Sequence, residues 1–323
     1  MLCKGEIPIE KNVIVTDING KRIGATYPKR AKGLVKNGRA EYASDCEKCT
    51  IRMLDTHKPT VDVTEVNNMI VKNQYPICEF DTNKNPIIHP TNFLTENLPK
   101  KCVITYLRKE LEHFCKENKL PIIGHLNSEV FDIPIYEYAN DTDRLCITMA
   151  LCGAPGAAVA LEELYAMGCE TFIVCGGAGA LTNDSKVGEI IVPVSAVRDE
   201  GTSYHYLAPS REIECHKETV EKVVSYLKEM EVPFKTGKTW TSDAIYRETP
   251  DMIERRRSEG CITVEMEAAA FFAVSHYYHI PLAQLLYAGD DVSGEEWDSR
   301  NWNNQKNIRY ELLRIAIEIV KKL

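Results

Sequence analysis

The sequence predicts an α/β protein, a mixed central sheet flanked by helices, with a small N-terminal accessory region ahead of it. Three observations carry that prediction. From about residue 120 onward, apolar runs of strand length alternate with runs of helical period. The connections between them are short and contain glycine, as in sheets covered by helices on both faces. The last run, 307–322, sets Leu312, Leu313, Ile315, Ile317, Ile319 and Val320 among charges, the pattern of an amphipathic helix lying on a sheet.

Taken in order, residues 12–26 hold two β-like runs around Asn19-Gly20, and Asn-Gly is a strong hairpin signal. A basic stretch follows over 27–39, with Lys29, Arg30, Lys32, Lys36 and Arg39; a solvated surface is the simplest account of it. Cys46 and Cys49 form an isolated C-x-x-C. A structural zinc needs four ligands and only Cys3 and His57 are near in sequence, so no metal is expected. Residues 55–100 are rich in Asn, Thr, Pro and Asp and read as a linker with short elements. Residues 101–118 read as a helix. Strands are expected at 122–124, 133–138, 145–151, 171–175, 189–194 and 282–287, with helices at 156–167, 217–230 and 307–322. The division is thus 1–100, accessory region and linker, and 101–323, the α/β domain.

A formal charge of -8 argues against general affinity for nucleic acid or anionic membrane. No apolar run approaches the roughly 18 residues needed to cross a bilayer, and the first residues lack a signal-peptide core, so a cytoplasmic location is expected. The 12 cysteines then read as reduced thiols.

The chemistry concentrates in a few stretches. In VEMEAAAFF, residues 264–272, Glu265 and Glu267 interrupt an apolar run, where a helix core would exclude them because burying an unpaired charge costs several kcal/mol. In ALCGAPGAAVALEELYAMGCETFIVCGGAGAL, residues 150–181, two strand ends run into glycine-rich turns. The second, with Gly177, Ala178 and Gly179, lets backbone N–H groups approach a ligand closely. GEIIVP at 188–193 and Ala288-Gly289-Asp290-Asp291 complete the series.

This series over about residues 120–323 resembles the nucleoside phosphorylase/nucleosidase superfamily, which includes uridine phosphorylase, hexameric purine nucleoside phosphorylase and methylthioadenosine/S-adenosylhomocysteine nucleosidase. The resemblance implies a nucleoside phosphorylase-like fold and cleavage of an N-glycosidic bond. It implies that Glu267 binds the ribose 2′- and 3′-hydroxyls, that Met266 packs under the sugar and that Glu265 supports them. A carboxylate accepts both hydroxyls and its charge favours the oxocarbenium-like sugar. It implies that Asp290 protonates the leaving base, with Asp291 the alternative one residue on, and the aspartate leans towards a purine. It places the base against Ser242, Asp243 and Tyr246 of the 241–246 segment, with Tyr246 or Tyr206 stacking on it. The substrate is a small-molecule nucleoside, no cofactor is needed, and a homo-oligomer, dimer or hexamer, is expected.

Phosphate and water remain as nucleophiles. The family's phosphorylases carry an early Gly-Asp-Pro-x-Arg segment that is missing here, and an arginine where this chain has Val174. Without arginine a phosphate would depend on backbone N–H groups. The string 123–130 instead resembles the nucleosidase strand whose last glutamate activates water, which puts Glu129 in that role. The expected reaction is therefore hydrolytic release of the base. The alternatives are phosphorolysis, with phosphate as co-substrate and ribose 1-phosphate as product, and a non-catalytic nucleoside-binding module. The 198–206 segment, similar to uridine phosphorylase, favours phosphorolysis, and the basic cluster at 29–39 could supply its missing cations.

Overall fold

The computed structural model describes residues 13–36, 40–43, 50–53, 70–92 and 97–323. The chain divides into two compact units, Met1–Asn67 and Asn68–Leu323.

In the first unit β1 (Val13–Thr16) and β2 (Arg22–Thr26) form the expected hairpin. Its turn is held by Asp17, whose Oδ1 accepts the N–H groups of Asn19 and Lys21 at 3.0 and 2.8 Å. The basic stretch forms α1 (Pro28–Lys36), which buries Ala31 and leaves Lys29, Arg30, Lys32 and Lys36 exposed. Strands β3 (Ala40–Tyr42) and β4 (Thr50–Met53) complete a sheet ordered β2-β1-β4-β3 around Val13, Ala40 and Ile51. Arg39 and the Cys46/Cys49 pair lie outside the described residues.

The second unit runs from Asn68 to Leu323. Two 3-10 turns, Pro76–Cys78 and Pro90–Asn92, belong to it, and the second packs against the α3 helix given below. The α/β part runs β5 (Lys101–Thr105), α2 (Arg108–Glu117), β6 (Ile122–Ser128), β7 (Phe131–Ala139), β8 (Arg144–Met149), α3 (Ala154–Ala166) and β9 (Thr171–Ala180). It continues through β10 (Ile190–Asp199), β11 (Glu212–Glu214), α4 (Lys217–Glu229), β12 (Phe234–Ser242), α5 (Pro250–Ser258), β13 (Cys261–Glu265), α6 (Ala268–Tyr278), β14 (Leu282–Asp291) and α7 (Lys306–Lys322). The mixed sheet is ordered β11-β10-β12-β13-β9-β5-β8-β7-β6, and β14 pairs with both β10 and β9. Strands β9, β14, β10, β12 and β13 therefore close on themselves.

The 101–118 run is not one helix. Residues Cys102, Val103 and Ile104 are fully buried in a strand paired in parallel with β8 and β9, and only Arg108 onward is helical. A run buried on both faces shows no alternation to distinguish it from a buried helix. The 122–124 strand extends to Ser128 and turns back antiparallel as β7. On the covering layer, α7 lies on β5 and β9 with α2 beside it, tied by the buried pair Arg309–Glu110 at 3.0 Å, while α3 packs on α6. No helix among the described residues is long and apolar enough to cross a membrane.

Cys102, Cys146 and Cys169 bring three buried sulfurs within 4.8 Å of one another. Their surroundings are apolar core, where neutral thiols pack as small hydrophobes and a charged thiolate cluster would be penalised.

Gly156 lies in the first turn of α3, and a Cβ there would stand 2.6 Å from Leu151 Cβ and 2.7 Å from the Leu151 carbonyl oxygen. Backbone cannot yield as a side-chain tip can. Gly156→Ala should lower stability by about 1–3 kcal/mol, read as an earlier urea midpoint; an unchanged midpoint would show that the loop relaxes freely.

Candidate active site

The carboxyl ends of β5, β9, β13 and β14 converge on a cavity of about 760 Å³, within the range that holds a small organic ligand. Its lining includes Gly176, Gly177, Ala178 and Gly179 of β9, so a stretch of main chain there carries no bulky side chain.

The two carboxylates of VEME do not sit inside a helix. Glu265 ends β13 and Glu267 is the residue before α6. Glu265 Oε1 accepts the Thr241 hydroxyl at 2.6 Å, and its Oε2 accepts the N–H groups of Glu267 and Ala268 at 2.7 and 2.6 Å. Thr241 Oγ1 in turn accepts the Ala269 N–H at 2.9 Å. Glu265 thus satisfies the first turn of α6, where a negative charge also meets the positive end of the helix dipole. Glu267 Oε1 accepts one N–H, from Gly153 at 2.7 Å. Gly153 has φ +93°, a conformation that favours glycine. Burial raises both carboxyls above the ordinary range, and the charge of Glu267 adds to the rise at Glu265.

Around Glu267 stand Met266, Cys152 and Tyr106. The Cys152 thiol is 3.6 Å from Met266 Sδ and is pushed up to about 11 by burial and the Glu267 charge, so it is a thiol at neutral pH. At the other end Asp290 Oδ2 accepts the Trp297 indole N–H at 2.7 Å. The next residue, Asp291, bonds Arg300 and Ser293 instead; burial opposes ionisation, but these bonds hold its carboxyl below the usual range. Asp290, not Asp291, lines the cavity.

Residues 100–322 match the family model described as the Phosphorylase superfamily. The chain belongs to the phosphorylase superfamily. Among relatives, a guanosine phosphorylase of Halorubrum lacusprofundi is 32% identical over 189 residues, covering 57% of this chain and 78% of that protein. The fold is that of uridine phosphorylase from Vibrio fischeri, with TM-score 0.58, 21% identity and coverage of 73% of this chain and 95% of that one. It is also that of AMP nucleosidase from Bacteroides thetaiotaomicron, with TM-score 0.57, 20% identity and coverage of 70% and 88%.

Within this phosphorylase-superfamily fold, other expected site residues lie elsewhere. Glu129 is exposed at the β6–β7 turn and does not line the cavity, because the strand that opens onto it is β5, ending at Tyr106 and Leu107. Tyr206 is committed to a different cluster: its hydroxyl donates to Glu162 at 2.9 Å and its ring meets Tyr277 edge-on. Ser242 is buried and accepts the Ala244 N–H at 3.2 Å, while Asp243 accepts the Gly201 N–H at 3.0 Å; neither lines the cavity. Tyr246 does reach it, at 95% exposure, as part of the rim.

Several residues that sequence reasoning missed line the site. Tyr106 Oη, Gln284 Oε1, Tyr287 Oη and Arg309 Nε are buried without a hydrogen-bond partner among the described residues, the arrangement of groups that a ligand completes. Arg309 is the one cation among the described lining residues and is already bonded to Glu110. Glu248, just after the 3-10 turn Ile245–Arg247, faces the cavity, and burial followed by the Asp290 charge pushes its carboxyl up to about 7.

That shift makes stability depend on pH. The folded chain holds the Glu248 proton to higher pH than the unfolded chain, so the contribution is complete in acid and is lost as pH rises through about 7. The raised Glu265 and Glu267 act in the same direction. The melting temperature should fall from about pH 5 to about pH 8, and Glu248→Gln should flatten part of that fall. An unchanged slope in the variant would remove Glu248 as a cause.

Proposed function

We propose that the chain cleaves the N-glycosidic bond of a nucleoside in this cavity, releasing the free base, with water as nucleophile. The observation that carries the reading is the charge around the cavity. Glu248, Glu265, Glu267 and Asp290 face a single, already committed arginine. A phosphate dianion entering there would meet no uncommitted cation among the described lining residues, whereas neutral water needs none.

The roles follow from the partners. Glu267 keeps acceptor capacity beyond its bond to Gly153, and takes the ribose hydroxyls with Met266 against the sugar. Asp290, oriented by Trp297, gives its proton to the departing base as the C–N bond electrons move onto that base. Water then bonds to the sugar carbon, and the proton it loses restores the carboxyl. The products are base and free sugar, and no cofactor enters. Glu129 has no part in this scheme.

Phosphorolysis is the second reading, favoured by one observation, the likeness over 189 residues to a guanosine phosphorylase. A second copy of the chain would have to bring the missing cations. Exposed Val130, Leu151 and Val159 beside an apolar groove fit such a homo-oligomer.

The test is base release from purine and pyrimidine nucleosides with and without phosphate. Release without phosphate, yielding free ribose, is expected; ribose 1-phosphate formed only with phosphate would replace water by phosphate. Asp290→Asn should lower kcat by roughly 100-fold or more, and wild-type turnover in that variant would move the acid to another group.

A further inference from the structure

We infer that the first unit binds a single-stranded nucleic acid along a strip that runs from the start of β2 over the exposed side of α1. The inference stands apart from the glycosidic reading, because it rests on residues of the first unit alone.

The net charge of the chain hides a sharp division. Residues 21–39 hold seven of the 39 Lys and Arg and none of the 47 Asp and Glu. The formal charge of -8 is thus +7 in that stretch and -15 over the rest. Contact with a polyanion is decided within a Debye length, about 8 Å in physiological salt, so the local value governs it and the total does not. Helix α1 sorts the stretch into two sides. Ala31, Leu34 and Val35 join Val13, Val15, Ala40 and Ile51 in the core of the unit. Lys29, Lys32 and Lys36, three and four residues apart, fall on the opposite side and are exposed, in a row about 10 Å long. Among the described residues the unit holds one ion pair, Arg52 with Glu41 at 3.9 Å, and no lysine of the row pairs with a carboxylate there. Exposed Lys21 and Arg22 continue the positive strip where β2, the edge strand of its sheet, begins.

This layout selects the partner. Cations spread along a strand and a helix, each on the surface, build no cradle for one small anion. They suit a chain of phosphates, which gains affinity by releasing condensed counterions. A helix that lies on a membrane needs its apolar side free for lipid, and that side of α1 is taken up by the core of the unit. Apolar surface does lie beside the cations, on the hairpin and at the entry to the helix: Ile18, Ile23 and Tyr27 are 52%, 59% and 41% exposed. The open bases of a single strand can rest on such surfaces, whereas a duplex keeps its bases stacked inside and offers mainly phosphates.

The experiment follows the anisotropy of a labelled single-stranded RNA of about 20 nucleotides with the full chain over a salt series. The duplex of the same sequence and phosphatidylserine vesicles are the comparison ligands. The wild-type protein should prefer the strand to the duplex and leave the vesicles unbound. The triple variant Lys29→Gln, Lys32→Gln, Lys36→Gln should bind the strand about 10–100-fold more weakly, and its plot of log K against log salt should be shallower by about 2, three phosphate contacts at roughly 0.7 each. Replacing Lys217, Lys222 and Lys228 of α4 by Gln changes the net charge equally and should leave binding as in the wild type. Arg in place of the three α1 lysines keeps the charge and should keep the binding. No binding of the strand by the wild-type protein at about 50 mM salt would overturn the inference. So would equal losses in the α1 and α4 glutamine variants, a loss in the arginine variant, or a preference for duplex or vesicles.

Discussion

The hydrogen bonds accepted by Glu265 hold the site in its working shape. One carboxylate joins Thr241 at the end of β12 to the two leading N–H groups of α6, and Thr241 takes a third from Ala269. Strand β12, strand β13 and helix α6 therefore meet at a single buried carboxyl group. A buried carboxyl without partners would be costly, and the three hydrogen bonds it accepts offset that cost. The chain reverses around this anchor, and the reversal is what presents Met266 and Glu267 to the cavity. Glu267 accepts the Gly153 N–H and is approached by the Cys152 thiol, but it is not tied to a helix start as Glu265 is. The asymmetry separates the anchoring carboxylate from the one left with capacity for a ligand.

The closed ring of five strands explains why residues so far apart in sequence share one cavity. Strand β13 touches β9 at only two positions, Thr263 opposite Ala180 and Val264 opposite Gly179, immediately before the two glutamates. Strand β14 runs beside β9 in parallel with Tyr287 opposite Gly177, which brings Asp290 to the same end. A side chain on β9 at these points would enter the cavity or collide with its walls: a Cβ on Gly177 would stand 3.1 Å from the Tyr287 ring, and one on Gly179 would stand 3.0 Å from Val264. Small residues there are a packing requirement before they are a binding feature.

The alternation of strands and helices was legible because buried parallel strands read as continuous apolar runs bounded by glycine. Strand β5 was not, since KCVITYLRKELEHF passes from strand to helix without glycine or proline to mark the step. That one merger hid Tyr106 and Leu107 and sent the search for the first strand end forward to Glu129. Pairing of β6 with β7, a non-local fact, is what makes Glu129 a hairpin tip. Glu267, Met266 and Asp290, read from local motifs, line the cavity, whereas Asp291 bonds Arg300 and does not. Glu248 carries no local signal: it reaches the cavity because of the path the chain takes after the 245–247 turn.

Protonation ties these features to chemistry. Breaking a glycosidic bond asks a site for a proton at the base and for negative charge near the sugar, without the two cancelling. Here the carboxyls divide along the cavity. Glu265 and Glu267 lie close together, and each raises the cost of ionising the other, while Glu265 is bound to three donors. Elsewhere in the lining, burial and then the charge of Asp290 push the Glu248 carboxyl up to about 7. A carboxyl raised to about 7, as Glu248 is, still holds its proton for part of the time at neutral pH, the condition under which an acid can act there. A neutral nucleophile can enter such a field without opposing it, whereas a dianion must bring its own countercharge. The only cation among the described lining residues, Arg309, is spoken for by Glu110. On this argument the choice between water and phosphate is set less by the residues that touch the nucleoside than by whether a second copy of the chain lends the cavity a positive charge.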